Sequence, residues 1–376
     1  MDNTVKSILF VANVDWFFIS HRLVIAEKAI EKGYKVFVAC QNTGRSIEIK
    51  KKDIEFIDLT ISRSGINPFK EFITLMGFYK IYSKIKPDIV HHITLKPVIY
   101  GSIISKFLKI KHVVNAVSGL GYSFTKNRKG PVQKLMILLL RFGFKRNDLS
   151  VIFQNEDDKN IFKNLNIISN RNQIFQIKGS GVDLLTFKKS HLPSFEIIKI
   201  LLPSRMLWDK GVKELREASK MLEAKYKSKI QFILCGLADQ ENIAGVPSSY
   251  LYDWQDGSYV KWIGYKKDMV KVYQDCHIVV LPSYREGMPK ALIEACAIGR
   301  AIITTNAIGC RECVDEGVNG LKVPVYSSKE LAKAIEKLVL NTHLIIEMGE
   351  NSRKKAEKEF SVSDVVAKHL KIYESI

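Results

Sequence analysis

The apolar positions of this chain fall in short blocks separated by longer amphipathic stretches, the pattern of strands alternating with helices. Ser7 to Asn13 and Lys35 to Cys40 are apolar runs of strand length, and the periodicity from Ser20 to Lys32 predicts a helix between them. Further strands are expected at Ile54–Leu59, Ile89–His92, His112–Val117 and Leu149–Gln154. A second cycle starts at Lys199–Pro203 and continues through Gln231–Cys235, Val260–Ile263, Ile278–Pro282 and Ala301–Thr304. This order implies parallel sheets, so the expected class is α/β with two Rossmann-like doubly wound domains facing across a cleft. The polar, proline-bearing stretch SHLPSFE marks the join, giving domains over 1–190 and 191–376, with a last helix near 361–376 that can pack back on the first domain. Ligands of such sheets bind beyond the carboxyl ends of the strands.

The segment LPSYREGMPKALIEACAIGRAIITT, Leu281 to Thr305, concentrates the chemistry. Its apolar start closes a strand, Tyr284 to Met288 read as a loop, and Pro289 suits the first helical position, where its missing N–H costs nothing. Ala291 to Ala297 continue the helix until Gly299 stops it. A helix start offers unpaired N–H groups and partial positive charge to a phosphate. Glu286 just before that start and Glu294 about two turns later flank it, with Gly287, Met288, Pro289 and Lys290 between them, an arrangement fit for a nucleotide-sugar. Ordinary acids near a helix start would satisfy the same dipole without a ligand.

The second cycle opens with ILLPSRMLWDKGVKEL, which sets Arg205 at a strand end and Lys210 near a helix start. Two cations there can oppose a diphosphate and stabilise the charge that grows as a nucleoside diphosphate departs. Gly236 and Gly264, each after a strand, permit close backbone approach, and Tyr265 follows the second of them.

These segments resemble the retaining glycosyltransferases of family 4, which have the GT-B fold. Glu286 and Glu294 match the family's E-x7-E signature, and Arg205 with Lys210 matches its diphosphate clamp in spacing and context. KGSGVDLLTF, with Gly181, Val182, Asp183 and Phe187, looks like its interdomain segment. SRMLWDKGV, LPSYREGMPKALIEA, NAIGCRE and HITLKPVIYG carry the likeness over nearly the whole chain, toward the branch that extends undecaprenyl-diphosphate-linked glycans, including α-1,3-N-acetylgalactosaminyltransferases.

The resemblance implies transfer, with retention, from a UDP-sugar such as UDP-GalNAc to a polyprenyl-diphosphate-linked acceptor in bacterial surface polysaccharide or lipid-linked oligosaccharide synthesis. Arg205, Lys210 and Glu286 would be catalytic. Glu286 would contact the donor sugar, Glu294 the ribose hydroxyls, and Gly264 with Tyr265 would lie beside the base. The chain holds no D-x-D, so no metal or other cofactor is expected.

The acceptor side departs from the family pattern. Asn13, Val14, Asp15 and Trp16 stand where many members have a Gly-Gly loop, and Ser118 with Gly119 stands where many have a histidine. That histidine's role does not transfer. Asn13, Asp15, Trp16, His21, Lys96, Ser118 and Gly119 are the acceptor-side candidates, although His21, at a helix start, would commonly serve as a cap.

Charge sharpens the division of labour. Residues 1–190 carry a net +16 and residues 191–376 only +3. Two basic amphipathic stretches, Lys70–Lys86 and Arg128–Arg146, suit an anionic membrane surface, with Lys129, Lys134, Arg141, Lys145 and Arg146 as the contact cations. No apolar run approaches the roughly 18 residues of a spanning helix, so a peripheral position on the inner face of the cytoplasmic membrane is expected. Six cysteines in mostly apolar runs fit a reduced compartment, and the lone C-x-x-C at Cys310 and Cys313 lacks the rest of a zinc site. A UDP-sugar 2-epimerase of the same architecture and a basic nucleic-acid module are the alternatives. No nucleic acid is expected, because no zinc-finger, homeodomain or RNP pattern occurs.

Overall fold

The structure is a computed structural model and describes residues 5–61, 67–120, 130–239 and 242–376. The chain forms two units, Met1–Ser180 with Asp364–Ile376, and Gly181–Ser363.

The first unit runs β1 (Ser7–Val14), α1 (Asp15–His21), α2 (Leu23–Glu31), β2 (Lys35–Gln41), α3 (Ser46–Lys50), β3 (Glu55–Asp58), α4 (Pro68–Ile85), β4 (Ile89–Ile93), α5 (Leu95–Phe107), β5 (His112–Val117), α6 (Pro131–Phe144), β6 (Leu149–Phe153), α7 (Glu156–Asn164) and β7 (Gln173–Gln176). All its strand pairs are parallel, in the order β3-β2-β1-β4-β5-β6-β7. Helices cover both faces, so central strands read as unbroken apolar runs: Ile8 to Ala12 are fully buried. The expected helix over 20–32 is in fact two, because Arg22 (φ −137°, ψ −13°) leaves helical geometry between α1 and α2.

The second unit runs β8 (Ile198–Pro203), α8 (Val212–Tyr226), β9 (Ile230–Cys235), α9 (Ser248–Tyr252), β10 (Val260–Gly264), α10 (Met269–Gln274), β11 (Ile278–Leu281), α11 (Lys290–Ile298), β12 (Ala301–Thr305), β13 (Gly320–Val323), α12 (Ser328–Val339) and α13 (Thr342–Glu359). Its strand order is β10-β9-β8-β11-β12-β13, again parallel. In each sheet the chain winds outward from its first strand, then crosses back to build the other side. The reversal points lie between β1 and β4 and between β8 and β11, where such sheets bind ligands.

The last helix, α14 (Val362–Glu374), gives residues 364–376 to the first unit, where the Tyr373 hydroxyl meets His91 Nδ1 at 2.6 Å. The division falls at Gly181 rather than residue 191. Residues 181–190 bond to the second unit: Val182 N–H donates to Phe360 O and Ser190 N–H to Ile298 O. The fully buried guanidinium of Arg300 donates to the carbonyls of Ser190, His191 and Tyr273, and Arg353 donates to Phe187 O. Pro193 of the expected join marks an irregular segment, and hydrogen bonding decides which unit owns it.

Candidate functional site

The second unit brings the loops after β8 and β11 together at its reversal point. After β8 the chain passes Arg205 and a single 3-10 turn, Trp208–Lys210, before α8 begins. Gly211 makes this possible: its φ is +73°, and a Cβ there would meet Pro282 O at 2.2 Å. The Lys210 turn thus lies directly against the start of the β11 loop.

Across that contact the Lys210 ammonium pairs with the Glu286 carboxylate, both side chains about 15% exposed. Ser283 Oγ donates to the same Glu286 oxygen at 2.8 Å, and Glu286 N–H donates to Ile308 O at 2.9 Å. Burial works against the charge on Lys210, but Glu286 and Asp209 outweigh it and hold the ammonium above its ordinary range. Arg205 Nη1 lies 2.9 Å from Asp239 Oδ2, an ion pair between the loops after β8 and β9.

The helix α11 begins at Lys290, with Pro289 as its cap (φ −72°, ψ 113°) rather than its first helical residue. Glu294 lies inside the helix, 3.7 Å from Lys290 and accepting from Tyr273 OH at 3.1 Å; burial raises its pKa. Gly287 continues the loop, and Met288 is buried against Cys313, sulfur to sulfur 3.4 Å. Gly236 (φ +153°) bonds its N–H to Gly264 O, and a Cβ on it would meet Ser204 O at 1.9 Å. The close approach expected there is to backbone of this unit. Tyr265 is 59% exposed.

Cys310 and Cys313 are buried free thiols whose pKa burial pushes up, Cys310 to about 12. Among the described residues no group of three or more His, Cys, Asp or Glu could hold a metal ion. Asp239, Tyr273 and the pair Tyr284–Glu214 were missing from the sequence reading. Asp239 could have been found, since it sits three residues past Gly236 at a strand's carboxyl end.

In the first unit the acceptor-side candidates divide. Asp15 is fully buried and accepts from the N–H groups of Trp16, Thr43 and Arg45 and from the Thr43 hydroxyl. Although burial opposes its charge, those bonds lower its pKa. It ties the start of α1 to the loop after β2, which corrects its reading as an acceptor contact. His21 stacks on Phe17 at 4.1 Å, Lys96 pairs with Glu71 at 2.6 Å, and the Trp16 ring packs edge-on to Phe17. Asn13, at the end of β1, keeps a buried Oδ1 without a hydrogen-bond partner, while Ser118 and Gly119 follow β5, and Arg22 reaches Ser118 Oγ at 3.5 Å. Between them Thr94, joining β4 to α5, holds φ +73° and ψ 160°, a geometry that costs a β-branched residue about 1–3 kcal/mol.

Of the membrane candidates, Lys134, Arg141 and Lys145 are exposed on or just after α6. Arg146 is not: its side chain is 8% exposed, bonded to Asp148 and Ile110 O, so it is an internal tie rather than a surface cation. Lys129 lies outside the described residues. A feature without charge stands out instead. On α4, Phe69, Phe72, Ile73, Met76 and Tyr79 are exposed, and on α6, Val132, Leu135, Leu138 and Phe142 are. No described helix is long and apolar enough to cross a membrane.

Two parallel doubly wound sheets in one chain are the architecture of GT-B glycosyltransferases. Residues 186–356 match the glycosyl transferases group 1 family and residues 7–155 the glycosyl transferase 4-like family, and the chain belongs to these glycosyltransferases. It is 27% identical over 369 residues, 94% of this chain and 95% of the relative, to the N,N'-diacetylbacillosaminyl-diphospho-undecaprenol alpha-1,3-N-acetylgalactosaminyltransferase of Campylobacter jejuni. It is 25% identical, over 90% of this chain and 89% of the relative, to the UDP-Gal:alpha-D-GlcNAc-diphosphoundecaprenol alpha-1,3-galactosyltransferase of Escherichia coli. The crystal structure of Anabaena HepE in complex with UDP and glucose superposes with a TM-score of 0.77 at 18% identity, covering 99% of this chain and all of that one.

Proposed function

We propose that this glycosyltransferase moves a sugar from a UDP-sugar to an undecaprenyl-diphosphate-linked acceptor during surface polysaccharide synthesis, with retention and without a metal. The observation that carries the reading is the Lys210–Glu286 pair at the β8–β11 reversal point, with Arg205 beside it. Arg205 and Lys210 receive the diphosphate, exchanging Asp239 and Glu286 for phosphate oxygens, and Glu286 is thereby released to the hydroxyls of the donor sugar. Glu294, buried and steadied by Tyr273, takes the ribose hydroxyls. Retention needs no protein nucleophile when the acceptor hydroxyl attacks on the face the diphosphate leaves, so stabilising that leaving group carries much of the barrier reduction. The acceptor reaches Asn13, Thr94 and Ser118 at the reversal point of the first sheet.

The named relatives act on undecaprenol-diphosphate substrates, one transferring N-acetylgalactosamine and the other galactose, which supports a lipid-linked acceptor and a hexose or N-acetylhexosamine donor, GalNAc being our choice. Such an acceptor lies at a bilayer. The exposed apolar faces of α4 and α6, flanked by Lys70, Lys80, Lys84, Lys134, Arg141 and Lys145, suit contact with anionic lipid, apolar groups entering the interface and cations meeting headgroups. The test is a panel of UDP-sugars with synthetic polyprenyl-diphosphate acceptors, reading UDP release and the product's anomeric configuration by NMR, with and without EDTA. UDP release from no donor, or an inverted product, would refute the reading.

A further inference from the structure

The two loops that carry Lys210 and Glu286 are joined a second time, by residues with no assigned part in the reaction. Tyr284, two positions before Glu286, donates its N–H to Asp209 O at 2.9 Å. Its hydroxyl reaches both oxygens of Glu214, at 2.7 and 2.8 Å. Glu214 is in the first turn of α8, four residues after Lys210, and is 6% exposed. The face of the Tyr284 ring is covered by Tyr326, with centroids 4.1 Å apart. The phenol is thus held in one direction, onto a buried carboxylate.

We propose that Tyr284 and Glu214 are positioning residues that hold the Lys210 turn and the Glu286 loop in register while the donor is bound. The inference rests on the donor-site reading above. In the resting site, two cross-links lie side by side and reach the same β11 loop, Lys210–Glu286 from the 3-10 turn and Glu214–Tyr284 from the first turn of α8. When a diphosphate draws Lys210 away from Glu286, the first cross-link weakens because both of its groups turn to the ligand. The second involves no donor-binding group and persists. It keeps the sugar held by Glu286 aligned with the diphosphate held by Lys210, and alignment of this kind governs the chemical step more than affinity.

The experiment compares Tyr284→Phe, Glu214→Gln and Glu214→Leu with Lys210→Ala, in UDP-sugar turnover and in UDP calorimetry on the full chain. Tyr284→Phe keeps the ring against Tyr326 and loses only the hydroxyl. It should lower kcat by about tenfold, leaving donor KM and UDP affinity within about twofold. Glu214→Gln, whose amide oxygen still accepts, should restore near wild-type kcat, whereas Glu214→Leu should match Tyr284→Phe. The Tyr284→Phe/Glu214→Leu double variant should be no worse than either alone. Wild-type kcat in Tyr284→Phe alongside an impaired Lys210→Ala overturns the strut and leaves the donor site standing. A loss of thermal stability with kcat intact overturns it equally. Wild-type turnover in Lys210→Ala overturns both.

Discussion

Replacing Lys210 by alanine separates two consequences that the structure lets one size independently. The first is structural. Glu286 keeps Ser283 Oγ at 2.8 Å but loses its ammonium partner in a site where both side chains are only about 15% exposed. Breaking a fully buried pair costs about 3–5 kcal/mol, and residual solvent access brings that down to about 2 kcal/mol. For a unit of this size the thermal midpoint should fall by roughly 4–8 °C. The second consequence is chemical, since loss of a cation aimed at developing leaving-group charge costs about 100- to 1,000-fold in kcat. Scanning calorimetry reads the first and single-turnover UDP release the second. Adding Glu286→Ala removes the orphaned carboxylate, so the double variant should regain part of the lost midpoint and none of the turnover. A folded Lys210→Ala protein within threefold of wild-type turnover, or a double variant that regains activity with stability, would refute the role given to Lys210.

Three further outcomes follow from the same geometry. Glu294→Ala should weaken UDP binding by calorimetry, whereas Glu286→Ala should spare UDP and weaken only the complete UDP-sugar; equal loss of UDP affinity in both contradicts the division of roles. Burial of His91, His92 and His369 in the first unit depresses their pKa values, the latter two to about 3, so the unfolded chain takes up protons first. The contribution of His92 and His369 is full above about pH 6.5 and is lost as pH falls toward 3, by about 2 kcal/mol for each of these two at pH 5, and His91 adds in the same direction; urea unfolding of that unit indifferent to pH between 7 and 5 would show this wrong. Vesicle binding should fall with Phe69→Ser/Phe72→Ser on α4 and also with Lys134→Gln/Arg141→Gln on α6, but only the cation-dependent part should weaken with salt. Binding that survives all four substitutions would place the membrane contact elsewhere.

The loops proposed to hold the donor were more legible in the sequence than those proposed to meet the acceptor, and the reason is local geometry. Arg205, Lys210, Glu286 and Glu294 each lie within a strand–loop–helix unit whose residue types announce it: an apolar run, a glycine or proline at the turn, then a good helix former. Spacing along the chain then translates directly into spacing around a strand end. The short edge strands β7 and β13 escaped because QIFQ and GLKV are only four residues long and have no apolar run to betray them. Asp15 misled for a deeper reason. An acid after a first strand looks available, but its burial depends on Thr43 and Arg45, nearly thirty residues away, arriving with their N–H groups. Arg146 misled in the same way, its tie to Asp148 and Ile110 O invisible to a count of cations. The apolar stripe at 69, 72, 73, 76 and 79 fits a core face or a membrane-facing one equally by its helical period, and the buried set Thr74, Phe78 and Tyr82 on the same helix shows that α4 already has its core contact and presents a second apolar face outward. Periodicity thus identifies an apolar face, while which of two such faces meets the sheet is decided by tertiary packing. This is why net charge alone understated the surface of the first unit and why apolar substitutions on α4 are the sharper probe of the membrane contact proposed for it.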